Sequence, residues 1–353
     1  MSLALIAMMA TGAANSHGVG TTDEIIGDVS CPQDDRDRTP WRWHEQLPID
    51  KRPLSSKAAG DSLSYVPLQP FLVADVEAPD FTSTITRLLD VFGVAVVLGL
   101  LRAPLSDELA DHLHHEAQTS TAKRGPVRKA GAARIDIPSS LSPADSPAVR
   151  AFMGVLEVLG DGYSSLLGDG AMLTDFAAMI PYPGAQAQGL HSDRPLSNNT
   201  YRFVTTFVYS KDVGLWDGAL DVWPGSHRNQ NSCTALKCPS PAIRIAPVPA
   251  GTAVIYDDRL RHRGSANERT VGEAPAVSKV RGGESGTGHA GARVSLYFGW
   301  KSEMGHDPDG ESIAMEVKHG MRNTILPAYK RRITLASART SGGVFDFRPR
   351  RIS

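Results

Sequence analysis

The 353-residue chain is poor in cysteine, with only Cys31, Cys233 and Cys238 and no CxxC spacing. Three thiols without that spacing argue against a disulfide scaffold or a thiolate zinc site and towards a reducing, cytoplasmic compartment. Excess charge is also missing, with 37 basic residues against 38 acidic ones. Without a basic stripe, a zinc-finger, RRM or helix-turn-helix pattern, no nucleic-acid partner is expected. No run approaches the ~20 apolar residues that span a bilayer, so no membrane partner is expected either. The apolar patch Leu3 to Ala10 has no Lys or Arg before it. The charged start of a secretory signal is therefore absent, although the patch leaves targeting open.

What is present is enough apolar surface for a core, at 41% hydrophobic residues, and frequent punctuation by 33 Gly and 24 Pro. That punctuation suits short strands and turns better than long helices. Residues 1–65 mix Gly, Ser, Asp and Pro without periodicity and read as a partly disordered arm. Asp80 or Thr82 can cap a helix whose apolar positions Ile85, Leu88, Leu89 and Phe92 recur at helical spacing, and Gly93 ends it. Val94 to Leu98 reads as a buried strand. Ser106 can cap a second helix to about Gln118, 122–146 reads as a loop, and Ser146-Pro147 opens a third helix to Leu159. His112, His114, His115 and Glu116 lie on the second helix, where two-apart side chains are about 200° apart, so they read as a solvated face.

From Met172 the texture changes to six short β-prone runs, at 173–180, 202–209, 220–223, 243–247, 252–256 and 294–300. This predicts a mainly β fold with flanking helices, a cupin-like jelly roll or double-stranded β-helix. It would occupy 66–300, followed by a C-terminal helix near 310–319 and a basic tail over 301–353 packed on the same domain. The Gly- and Ser-rich insertion at 272–292 reads equally as a lid or as a floppy tip.

One stretch carries chemistry. In His191-Ser-Asp193, two-apart residues on an extended strand share a face, so an imidazole and a carboxylate can close on one ion. A third ligand, His262, follows the β-prone run 252–256. Two imidazoles and one carboxylate on one side of an ion leave three open positions, as in non-haem Fe(II) oxygenases. His227, after a Pro-Gly turn, is the rival third ligand.

These residues also carry a resemblance. The order His191-x-Asp193, Asp217-Gly-Ala-Leu-Asp-Val-Trp-Pro-Gly-Ser-His-Arg228, Pro249-Ala-Gly-Thr-Ala-Val-Ile-Tyr256 to His262, and Arg293-Val-Ser-Leu-Tyr-Phe-Gly-Trp300 resembles the phytanoyl-CoA dioxygenase group of Fe(II)/2-oxoglutarate oxygenases. Tyr182-Pro-Gly and Thr205 to Tyr209 also look like the prolyl hydroxylase branch. The resemblance implies Fe(II) bound by His191, Asp193 and His262. It implies 2-oxoglutarate as co-substrate, split to succinate and CO2 with O2, and hydroxylation of a small-molecule substrate. It gives Arg293 the distal carboxylate of 2-oxoglutarate, with Ser295 on the same strand face as a third donor. Such a guanidinium contact is worth about 2 to 3 kcal/mol. Arg293 lies further from His262 than the group's pattern has it, so Arg269 and Arg281 stand as fallbacks. Because Asp193 fills the position that halogenases leave to a small residue, halogenation is disfavoured. A prolyl or peptidyl hydroxylase, a non-catalytic ligand-binding jelly roll and a cupin metalloenzyme without 2-oxoglutarate are the alternatives. The sequence names neither the substrate nor the oligomeric state.

Overall fold

The computed structural model describes residues 65–124, 134–194, 202–228, 242–269, 291–302 and 333–343, all within the second of two compact units, 47–353. Residues 1–64 of the expected N-terminal arm, 272–290 of the insertion, the helix near 310–319, the basic runs 330–332 and 348–351 of the tail and the cysteines lie outside the described residues.

Helix α1 (Phe81–Val91) buries Ile85, Leu88 and Leu89 of the stripe that its spacing predicts and adds Phe81, while Phe92, just past its end, is half-buried. It stops where Gly93 takes φ +76°, and a Cβ there would run into His227 and Leu260. Strand β2 (Val94–Val97) is buried throughout. Helix α2 (Ala103–Arg124) begins a turn before the expected cap. Ser106 is buried within it, and Pro104 in the first turn is the start signal that the sequence reading passed over. The histidine stretch on α2 is solvated only in part, with His115 exposed and His112 and Glu116 half-buried. His114 is buried against the Tyr182 ring at 6.3 Å, and Glu116 accepts the Ser139 hydroxyl at 2.6 Å.

The expected loop at 122–146 contains a strand, β3 (Arg134–Pro138). Helix α3 (Pro147–Leu167) starts as predicted, with Ser146 Oγ accepting the Val149 N–H. It runs past Leu159, through Gly160 and Gly162, because tertiary packing overrides their low propensity. At Gly160 the Arg339 side chain lies where a Cβ would sit, brought there by the short helix α4 (Leu335–Thr340).

Six of the remaining strands follow the β-prone runs, β4 (Met172–Pro181), β5 (Phe203–Tyr209), β6 (Leu220–Val222), β7 (Ala242–Arg244), β8 (Ala253–Asp257) and β10 (Ser295–Lys301), while β9 (His262–Gly264) lies in none of them. With β1 (Tyr65–Pro67) they form a six-stranded sheet, β2-β8-β5-β10-β4-β3, and a four-stranded sheet, β1-β7-β6-β9. The architecture is a double-stranded β-helix with helices on one side.

Period-two alternation sorts the larger sheet. Leu296, Phe298 and Trp300 of β10 join the core under the helices, where Phe152 of α3 meets Phe298 edge-on at 4.9 Å and stacks on Trp300 at 6.0 Å. The alternate residues Ser295 and Tyr297 point the other way, and Tyr297 stacks on Phe207 of β5 at 5.0 Å. That opposite face is polar and aromatic, and it carries the site. On the smaller sheet, Asp221 of β6 lies opposite both Arg244 of β7 and Arg263 of β9. Its carboxylate accepts from Arg244 Nε at 2.7 Å and from Arg263 Nε at 3.3 Å, and the Arg244 guanidinium lies 4.4 Å from the Tyr65 ring centroid.

Candidate active site

His191 and His262 are locked together by backbone. Each amide donates to the other's carbonyl, at 3.0 and 2.8 Å, so the two rings stand 4.5 Å apart. The sequence reading placed them on strands facing each other, with His191 and Asp193 alternating along an extended segment. Instead His262 opens β9, His191 forms a single bridge beside it, and Asp193 follows in a bend. The loop after β4, rather than strand parity, turns the carboxylate towards both rings.

Ring orientation is set by carbonyls. His191 Nδ1 lies 2.8 Å from the Gly189 carbonyl and His262 Nδ1 lies 2.9 Å from that of Leu260. A carbonyl only accepts, so each Nδ1 carries the proton and each Nε2 presents its lone pair. Both Nε2 atoms lie 3.6 Å from an oxygen of Asp193, His191 from Oδ1 and His262 from Oδ2. Donors held ~2.1 Å from one ion at right angles stand ~3 Å apart, so the spacing fits a metal. Among the described residues these three form the one group of His, Cys, Asp or Glu whose ligand atoms gather, all within 4.8 Å. Burial lowers the pKa of His262 below the usual histidine value, which favours the neutral imidazole that ligation requires.

The carboxylate has a second support. The buried Tyr256 hydroxyl on β8 donates to Asp193 Oδ2 at 2.9 Å, and burial, with the Asp193 charge next, raises its pKa well above the ordinary tyrosine value. It therefore stays a donor. Beyond it, Asp258 accepts the Thr205 hydroxyl at 2.7 Å. Burial and the Asp193 charge raise the Asp258 pKa.

Arg293 is buried. Its Nη1 donates to the Gly218 carbonyl at 2.6 Å, Nε has no partner, and the guanidinium carbon lies 5.3 Å from the Tyr209 ring centroid. Burial depresses its pKa, and no carboxylate among the described residues comes within ion-pair distance. A buried guanidinium in that condition suits an anionic ligand. Ser295 does not serve as expected, because its hydroxyl donates to the Met179 carbonyl at 3.0 Å and that proton is spent. The fallback Arg269 is committed to Asp217, with Nη2 at 2.8 Å from Oδ2, and Arg281 lies outside the described residues. The rival ligand His227 is structural. Its Nε2 lies 3.1 Å from the Asp90 carbonyl at the end of α1.

Sequence reasoning missed four residues at this face: Arg134, Asp136, Tyr256 and Tyr297. Arg134-Ile-Asp-Ile-Pro138 alternates polar and apolar, a strand signal short enough to be lost in a Lys-, Arg- and Pro-rich neighbourhood. Tyr297 donates to Asp136 at 2.9 Å. Burial, with the charges of Asp175 and Asp193, pushes the Asp136 carboxyl up to about 7 against that hydrogen bond.

Known structures of similar shape include AviO1 from Streptomyces viridochromogenes Tue57, at 16% identity over 65% of this chain and 98% of that one, with a TM-score of 0.45. The epimerase SnoN in complex with Fe3+, alpha ketoglutarate and nogalamycin RO matches at 16% identity over 64% and 85%, with a TM-score of 0.43. A Trichoplax adhaerens prolyl hydroxylase in complex with a hypoxia inducible factor peptide fragment matches at 14% over 63% and 89%, also at 0.43. The phytanoyl-CoA dioxygenase family model matches residues 91–270, just over half of the chain. Its span takes in α2, the larger sheet except β10, and all three clustered side chains, and on that match the chain belongs to the phytanoyl-CoA dioxygenase family of Fe(II)- and 2-oxoglutarate-dependent oxygenases.

Proposed function

We propose that this chain hydroxylates a small organic substrate, with Fe(II) held by His191, Asp193 and His262 and with 2-oxoglutarate and O2 as co-substrates. The observation that carries the reading is the convergence of two Nε2 lone pairs on the two oxygens of one carboxylate, 3.6 Å each, with both Nδ1 protons tied to carbonyls. A merely structural histidine pair has no need to leave its second nitrogen facing an acid. When bound, the metal supplies the oxidative chemistry and opens three adjacent positions to co-substrate and O2.

The protein's own contribution is positional. Arg293 offers buried donors to the distal carboxylate of 2-oxoglutarate, and Tyr256 fixes which way Asp193 points. Phe207, stacked between Tyr297 and Tyr256, keeps the wall beside the metal dry. The test is incubation with Fe(II), 2-oxoglutarate, O2 and cell extract. Succinate should form in step with O2 uptake, together with a product heavier by one oxygen atom. Succinate without such a product would leave the oxygenase but remove hydroxylation; O2 uptake without succinate would remove both.

A further inference from the structure

The site face of the larger sheet has two ends. On β5 the core takes Val204 and Val208, so Phe203, Thr205, Phe207 and Tyr209 alternate onto the site face. Tyr209 and its register partner Ser295 mark one end, where the Arg293 guanidinium lies 5.3 Å from the Tyr209 ring centroid. Phe203 and its partner Lys301 mark the other. The metal cluster lies between, since the Tyr256 hydroxyl that holds Asp193 comes from the residue paired with Thr205. At ~3.3 Å per residue, Tyr209 stands about 13 Å from Thr205 in one direction and Phe203 about 7 Å in the other. A 2-oxoglutarate molecule reaching from the metal to Arg293 therefore fills the first direction and leaves the second to the substrate.

That second end carries two cations. The Arg194 guanidinium lies 4.1 Å from the Phe203 ring centroid, and Lys301 Nζ lies 5.8 Å from the same centroid. A ring quadrupole holds a cation in place without cancelling its charge. Asp258 Oδ2 stands 4.0 Å from Arg194 Nε, beyond hydrogen-bond length, and Oδ1 accepts the Thr205 hydroxyl at 2.7 Å. Backbone fixes the rest, because the Arg194 amide donates to the Asp258 carbonyl at 3.0 Å. Arg194 directly follows Asp193 in the same bend, so the turn that aims a metal ligand also sets this guanidinium beside it. The Arg194 side chain is only 13% exposed, and a charge so far removed from water attracts an anion more strongly than one on the open surface.

We propose that Arg194, with Lys301 beside the same ring, binds an anionic group of the substrate, and that the substrates are small organic acids whose carboxylate is held on the far side of the metal from Arg293. This specificity, which rests on the 2-oxoglutarate reading above, favours an acid over its neutral amide. A planar guanidinium can offer a carboxylate two parallel donors, which an amide oxygen cannot match.

The experiment uses the Mn(II)-loaded protein without O2, saturated with 2-oxoglutarate so that the metal and Arg293 are occupied. It is titrated by calorimetry with aliphatic and aromatic monocarboxylic acids, each beside its primary amide. Wild type, Arg194→Gln and Lys301→Gln are compared, with melting temperature, Mn(II) affinity and 2-oxoglutarate affinity as checks on each variant. Acids should bind the wild type and their amides should not, and Arg194→Gln should weaken acid binding roughly 10- to 100-fold, the loss of one charge-assisted pair, with 2-oxoglutarate affinity changed less than about twofold. Lys301→Gln should weaken acids in the same sense but less, and it decides the matter if Arg194→Gln does not fold. No acid bound by the wild type, acids and amides bound alike, or acid binding unchanged in the variants overturns the inference and leaves the oxygenase reading standing. Acid and 2-oxoglutarate binding weakened equally in Arg194→Gln means a structural role beside Asp193 and overturns it too. A wild-type protein that does not bind 2-oxoglutarate at all overturns the oxygenase reading as well.

Discussion

Tyr256 and Asp136 show how single side chains around the metal cluster are set by what they touch. The Tyr256 hydroxyl holds Asp193 through one bond of 2.9 Å, a contact that orients a ligand without being one. Outer contacts of this type typically change metal affinity about 10- to 100-fold. Tyr256→Phe should therefore weaken Mn(II) binding by about that factor while the protein remains folded; unchanged affinity would show that Asp193 is oriented by the backbone alone. Asp136 yields a pH dependence. An unfolded aspartate loses its proton near 4, whereas the folded carboxyl keeps it up to about 7. Its contribution to stability is thus complete below about pH 4 and declines as pH rises to about 7. In urea unfolding of the metal-free protein, Asp136→Asn should remove that part of the decline, and equal slopes in variant and wild type would contradict the assignment. Neither residue was legible as functional in the sequence. The motif reading recognises ligands by spacing, and a tyrosine or aspartate acting through a neighbour has no spacing of its own.

At the scale of elements, the strands of the larger sheet were readable as β-prone runs between Gly and Pro turns, and in β10 the alternation of Leu296, Phe298 and Trp300 with Ser295 and Tyr297 separates the helix-covered face from the site face. Helix α3 announced its start through Ser146-Pro147 but hid its end, since Gly160 and Gly162 read as breakers, and only the arrival of Arg339 explains the first of them. Strand β3 was hidden by its charged surroundings. Two substitutions measure what these elements hold. Phe152→Ala removes the ring that fills the space between α3 and Phe176, Phe298 and Trp300, and should cost about 3 to 5 kcal/mol in urea unfolding. Asp221→Ala strands Arg244 and Arg263 on the smaller sheet and should cost about 3 to 5 kcal/mol as well. A loss below about 1 kcal/mol in either case would mean that the site folds without that support.

Across the whole molecule, two sheets and the loop after β4 bring together residues that are 71 positions apart in the chain, His191 and His262, and a reciprocal pair of backbone hydrogen bonds fixes them. Which residues form the cluster was legible from the order of the motifs, but how they meet was not. The sequence reading relied on alternation along a strand, and the structure uses a bridge and a bend. No helix among the described residues is long and apolar enough to cross a membrane. The measurement that bears most directly on the account is visible absorption of the protein with Fe(II), without O2, before and after 2-oxoglutarate is added. A metal-to-ligand charge-transfer band should appear on addition and be lost in His262→Ala; no band in the wild type, or the same band in the variant, would contradict the iron centre placed at His191, Asp193 and His262.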